Sequence, residues 1–407
     1  MVRRRPEREL TTGVDSFGRQ VESEGDCVSR NLEQLQRFMR AGDFLQIIFK
    51  PRSTDKRSAR STRLTRSTRH GRSKKSGDAP DPMPTARIED VPRLAALLKT
   101  IQIVCAPMLL SFEPHLEKWI LGFPQSQAVV YSTPTQWPIF TGSYGLDVNM
   151  DFVLHNINFW RYHMIQEFEH TLFRAFSELD SDERPRWPTS GSLKVTTPKL
   201  GRHWKGSYAY IEREDMASMR EGKGDTLQIQ DRFGGEDSAC AFQKLELELV
   251  DGSGPDFPWP PAFEDILHSL TPRSVPIVKT RAQMRSSAPE AIPNTVAQSF
   301  RFDGEGYDVA EQFLASGWLN ALPPQNEIPG WQRMTMMKYF ADDDDPAGID
   351  VSALWAYEGI VLPGGQIMLG RWWSPGDDEM YSGPFILWCV DGPKYEECDE
   401  DTQDSPE

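Results

Sequence analysis

Three residues within "HNINFWRYHMIQEFEH" have the types and spacing to bind a transition metal. His163, Glu167 and His170 recur at intervals of four and three residues, which places them on one face of a helix. Glu167 and His170 form the Glu-x-x-His pair that di-iron helix bundles use. Such a site needs a second pair and further glutamates on facing helices, and the sequence offers neither. We therefore interpret His163 as a structural histidine and predict no metal and no other cofactor.

The patterns of other catalytic sites are also missing from the sequence. Nucleophilic catalysis would need an exposed Ser or Cys beside a His, and neither the Ser190 nor the Thr141 segment has the GxSxG pattern. "ADDDDP" (Ala341–Pro346) could chelate calcium, but it lacks the Gly and the distal Glu of an EF-hand loop. It reads better as a solvated acidic turn. The sequence thus predicts a protein that is not an enzyme.

"LWAYEGIVLPGGQIMLGRWW" (Leu354–Trp373) concentrates aromatic and charged residues in a predicted hairpin. Gly364 and Gly365 can both take positive φ, as a tight hairpin turn requires. In such a hairpin, residues at equal distances from the two turn glycines lie opposite each other, so Glu358 faces Arg371. We predict that these two residues form a structural charge pair on one face.

The other face of the hairpin is the predicted substrate-binding surface. Tyr357 lies opposite Trp372, Gly359 lies opposite Gly370, and Trp355 stands at the end. The paired glycines leave a gap that another group can approach, and the rings would form its wall. Two interpretations remain open: a ligand enters the gap, or another ring of the protein fills it. The candidate substrate-binding set is Trp355, Tyr357, Gly359, Gly370, Trp372 and Arg333.

The elements around this hairpin predict an α+β protein. Residues 85–190 carry helical patterns, of which Met150–Leu179 is the longest. Residues 191–392 show roughly nine short strands separated by turn residues, which favours an antiparallel, lipocalin-like β-barrel. Within them, Ala310–Pro323 is expected to be a helix or turn, and Asp251–Asn294 a long loop.

Charge and composition separate the two ends of the chain. Residues 1–84 are predicted to be disordered and basic, with 11 Lys or Arg between Lys50 and Lys75, and residues 393–407 form an acidic disordered tail. The basic segment fits a nuclear import signal, an anion-binding tail or a solvated linker. The formal net charge of −15 argues against nucleic acid as the main partner.

The five cysteines and the hydropathy indicate where the protein works. No cysteine pair has CxxC spacing, which fits free thiols in a reducing compartment. No apolar run reaches the length of a membrane span, and the first residues lack a secretory signal pattern. We expect no membrane association and a cytoplasmic or nuclear location.

Several strings resemble the C-terminal region of a family of fungal F-box-type proteins. They are "GWQRMTMMKYF" (Gly330–Phe340), Leu354–Trp373 and "SGPFILWCVD" (Ser382–Asp391), preceded by "HWKGSYAYIE" (His203–Glu212). The resemblance implies a substrate adaptor of a cullin–RING ubiquitin ligase, with a protein substrate, a Skp-type adaptor and a cullin as partners. The sequence shows no F-box helix pattern, so docking to a ligase does not follow from it. The alternative is a lipocalin-like small-molecule binder, or an enzyme with its pocket inside the barrel.

Overall fold

The computed structural model describes most of the helical region and the barrel. The described residues are 12–14, 20–22, 92–110, 121–142, 145–167, 170–186, 200–222, 229–234, 242–250, 299–308, 311–342, 348–375 and 381–390. Apart from the paired strands β1 (Thr12–Val14) and β2 (Gln20–Glu22), the segments predicted to be disordered lie outside them. So does the predicted loop Asp251–Asn294.

A layer of helices precedes the barrel. It contains α1 (Pro92–Val104), α2 (Ala106–Leu109), α3 (Phe123–Val130), α4 (Met150–Ile165) and α5 (His170–Glu178), with the small hairpin β3 (Phe140–Thr141) and β4 (Asp147–Val148) between α3 and α4. The side chain of Asn149 caps α4 by accepting from the Phe152 N–H. None of the described helices is long and apolar enough to cross a membrane.

Eight antiparallel strands close into a barrel, which confirms the predicted fold class. They are β5 (His203–Tyr210), β7 (Gln243–Val250), β8 (Ser299–Asp308), β9 (Glu311–Ala321), β10 (Gln332–Tyr339), β11 (Trp355–Val361), β12 (Ile367–Trp373) and β13 (Ser382–Cys389). Each pairs with the next in this order, and β13 pairs back to β5. The short helix α6 (Arg213–Arg220) and strand β6 (Arg232–Phe233) lie between β5 and β7, and a 3-10 turn (Val351–Ala353) precedes β11.

The hairpin between β11 and β12 has the predicted register. Glu358 lies opposite Arg371, and Gly359 lies opposite Gly370. Gly364 and Gly365 adopt φ of 101° and 70°, as the predicted turn requires. The alternation along these strands therefore sends Tyr357 and Trp372 into the barrel and Glu358 and Arg371 to its outer face.

The helical layer covers the outer face of β11, β12 and β13. Buried residues of α4 share one hydrophobic cluster with Ile360, Leu369, Ile386 and Trp388 of these strands. The Asn156 side-chain amide of α4 also donates to the Gly370 carbonyl at 2.9 Å. Because α4 is packed on both sides, nearly all of its residues are buried.

Two sequence-based expectations are wrong. Ala310–Pro323, expected to be a helix or turn, contains strand β9, which pairs with both β8 and β10. The pairing partners are remote in sequence and override the local helix-forming residues. The expected continuous helix Met150–Leu179 is two helices, because the backbone of Gln166 is extended (ψ 119°) and ends α4.

Candidate functional site

One end of the barrel opens into a cavity of about 1200 Å³. Aromatic rings form much of its wall, and the chain brings them from separate strands and loops. These rings belong to Tyr208, Tyr210, Phe340, Trp355, Tyr357, Trp372 and Tyr381. A concave pocket with several aromatic rings in its wall is a candidate small-molecule site, and charged side chains complete the lining of this one.

Trp372 is the centre of the aromatic wall. Its ring makes edge contacts with Trp355 at 5.4 Å, with Tyr381 at 5.5 Å and with Tyr208 at 5.9 Å between centroids. Its indole N–H donates to the Ala209 carbonyl at 3.1 Å, which leaves no freedom to rotate without losing that bond. The wall is therefore largely preformed.

A buried ion pair lies at the cavity surface. The Lys338 ammonium binds the Asp308 carboxylate, and both side chains are nine-tenths or more buried. The ammonium also lies 4.4 Å from the Phe313 ring centroid and 5.3 Å from that of Tyr208. Burial lowers the pKa of Lys338, and the attraction of Asp308 opposes this effect. Asp308 also accepts a hydrogen bond from Tyr208, whose pKa is raised first by burial and then by this carboxylate.

The Tyr357 hydroxyl is a polar group of the cavity that has no hydrogen-bond partner among the described residues. Tyr357 is 2 % exposed and lines the cavity, and its ring packs against Phe385 at 5.1 Å. Its hydroxyl makes no hydrogen bond to any residue that the structure describes. Burial raises its pKa well above the ordinary value, and nearby Tyr208 and Asp308 add to the effect. A buried hydroxyl without a partner costs free energy unless a ligand or water satisfies it.

The gap at the paired glycines is filled by the protein. A Cβ on Gly359 would meet the Phe385 ring at 2.8 Å and the Leu369 carbonyl at 2.4 Å. A Cβ on Gly370 would meet the Glu358 carbonyl at 2.1 Å. Neither glycine lines the cavity. Of the candidate set, the structure brings together Trp355, Tyr357 and Trp372.

Arg333 is not part of the cavity. Strand alternation places it on the outer face of β10, where it is 2 % exposed. There its guanidinium donates to Glu358 through two nitrogens at 3.0 and 2.8 Å. Arg371 faces Glu358 in the register, but its hydrogen bond goes to the Trp137 carbonyl at 3.1 Å, and its guanidinium lies over the Phe152 ring. The outer-face charges thus form a cluster of Arg333, Glu358 and Arg371 beneath the helical layer.

His163 joins the helices to the loop before β6. Its Nε2 lies 3.1 Å from the buried Asp231 carboxylate, which also accepts hydrogen bonds from Tyr131 and Gln127. Aromatic rings surround the imidazole, among them Phe159 at 4.7 Å. This is the environment of a structural histidine, whereas Glu167 is exposed to solvent.

Sequence reasoning missed Lys338, Asp308, Tyr208 and Tyr381. The signal for Lys338 was present, because Met334, Met336 and Lys338 alternate on one face of a buried strand. A lysine on the apolar face of a strand indicates a buried cation with a partner. The partner could not be named, since Asp308 comes from a strand that pairs with β10 only through β9.

Searches among protein-family models, curated proteins and solved structures found no match to the chain.

Proposed function

We propose that the barrel binds a small organic molecule in its aromatic cavity. One observation carries the proposal: a preformed cavity of about 1200 Å³ whose buried Tyr357 hydroxyl has no partner among the described residues. Small-molecule pockets typically enclose ~300–1,000 Å³, so the space accommodates a ligand with several rings. The ring wall would bury the apolar body of the ligand, and Tyr357 would orient a polar group.

Fluorescence of a neutral apolar probe, N-phenyl-1-naphthylamine, tests this proposal. The wild-type protein should bind the probe with a large rise in its emission. Ala353 lines the cavity and is half-buried, so Ala353→Trp should place an indole in the space that the probe would occupy and weaken binding at least about tenfold. Ala321→Trp makes the same change at an exposed strand end outside the cavity and should leave binding unchanged. Equal binding by all three proteins would contradict the proposal.

The adaptor role implied by the sequence resemblance is a second candidate. The strings that carry the resemblance fold into four consecutive strands, β10 to β13, with β5 as their neighbour. These strands supply Trp355, Tyr357 and Trp372 to the cavity, so a segment of a protein substrate could use the same rings. Affinity purification from a cytoplasmic or nuclear extract should then recover a Skp-type adaptor and a cullin, and their absence would remove this role.

A further inference from the structure

The charge of the cavity restricts the chemistry of its ligand, provided that the proposed function holds. Among the described lining residues, four side chains are carboxylates and one is a cation. The carboxylates are Asp308, Glu311, Asp342 and Asp350, and the cation is Lys338. A cleft lined mainly by one sign of charge concentrates ligands of the opposite sign.

The cation of the cavity is already neutralised. Lys338 binds Asp308, and its ammonium lies within reach of the rings of Tyr208, Phe313 and Phe340. An anionic ligand would have to displace Asp308 or accept repulsion from the remaining carboxylates. Glu311, which is exposed on the cavity rim, adds to that repulsion. An anion is therefore a poor fit.

The walls suit a positively charged organic group. Indole and phenol faces attract ammonium groups, and the attraction is strongest where water is excluded. Trp355 and Trp372 form an edge-on pair beside the buried Tyr357 hydroxyl, whose oxygen can accept a hydrogen bond. The chain itself holds the Lys338 ammonium among rings and a carboxylate in the same cavity.

We propose that the cavity binds an organic cation, a protonated amine or a quaternary ammonium compound, between its aromatic rings and its acidic rim. The ring faces would take the charged head, and Glu311 would attract it to the mouth. A neutral molecule of the same shape would gain only the apolar contact.

Three probes of one shape but different charge test this inference. Phenyltrimethylammonium is the cation, tert-butylbenzene is its neutral isostere, and benzenesulfonate is the anion. Each is titrated alone against tryptophan fluorescence and in competition with N-phenyl-1-naphthylamine. The cation should bind about tenfold more tightly than the isostere, and the anion more weakly than both. Of the three probes, only the cation should bind more weakly when salt is added.

Matched variants locate the charge effect. Glu311→Gln should lower the affinity for the cation about two- to threefold and leave the isostere unchanged. Glu248→Gln removes an exposed carboxylate of β7 outside the cavity, and it should leave the affinities for both probes unchanged. Trp355→Leu keeps an apolar wall but removes a ring face. It should therefore lower the affinity for the cation more than the affinity for the isostere.

The outcomes separate this inference from the proposed function. Binding of the naphthylamine with equal affinity for cation and isostere, or with a preference for benzenesulfonate, would overturn the cation inference and leave the ligand-binding role intact. Failure of all four compounds to bind would overturn the proposed function itself. A cation preference that is the same in Glu311→Gln and Trp355→Leu would place the cation elsewhere and also overturn the inference.

Discussion

At the scale of single residues, the charge cluster on the outer face contains two buried arginines around Glu358, whereas the sequence predicted a single pair of Glu358 and Arg371. Arg333 and Arg371 are both 2 % exposed, and Glu358 is the carboxylate that faces them. Burial lowers the pKa of Arg371 to about 10, with attraction to Glu358 acting in the opposite direction. Burial likewise lowers the pKa of Arg333, and Glu358 again opposes the effect. Glu358 therefore compensates two buried guanidinium groups.

Replacing Glu358 with Gln should destabilise the protein by about 3 kcal/mol, because two buried positive charges lose their carboxylate. Urea unfolding followed by tryptophan fluorescence measures the change. Glu178→Gln, which removes an exposed helical partner of Arg174, is the control and should cost about 0.5 kcal/mol or less. A loss of stability at Glu358 no larger than at Glu178 would show that the cluster contributes nothing specific.

At the scale of elements, the sequence predicted those features that local geometry determines. The period-two pattern and the two glycines were enough to place Tyr357 opposite Trp372 and Glu358 opposite Arg371. Strand β9 was missed because closing the barrel depends on partners remote in sequence, whereas Ala, Glu and Leu favour a helix locally. The same limit applied to Arg333, whose outward direction follows from the register of β10 against β11.

The contact of β11 with β12 leaves no room for a side chain at Gly359. Gly359→Ala should cost about 2 kcal/mol or more, because the new methyl group would meet a carbonyl and the Phe385 ring. The double variant with Phe385→Leu should lose less stability than the sum of the two single losses, because the smaller side chain removes the contact with the ring. Gly122→Ala, where the new Cβ meets nothing within 4 Å, should cost about 1 kcal/mol or less. Strictly additive effects of the two core substitutions would contradict the packing described.

At the scale of the whole molecule, the strand pattern predicted a barrel but not the order in which its strands meet, and the site depends on that order. Trp355, Tyr357 and Trp372 could be grouped from one hairpin. Lys338 and Asp308 joined them only through the circular order of strands. The gap between the glycines, which suggested a ligand site in the sequence, is filled by Phe385, and the cavity lies nearer the barrel end.

The helical layer and the barrel share one hydrophobic cluster, so we expect neither to be stable alone. Without the helices, β11 to β13 would expose Ile360, Leu362, Ile367, Leu369, Ile386 and Trp388 on one face. Apolar patches larger than a few hundred Å² promote association. A fragment of residues 191–392 should therefore aggregate or lose naphthylamine binding, whereas residues 85–392 should remain monomeric and bind it. Size-exclusion chromatography with light scattering and probe fluorescence measure both properties. A monomeric 191–392 fragment with wild-type affinity would show that the barrel holds its cavity without the helices.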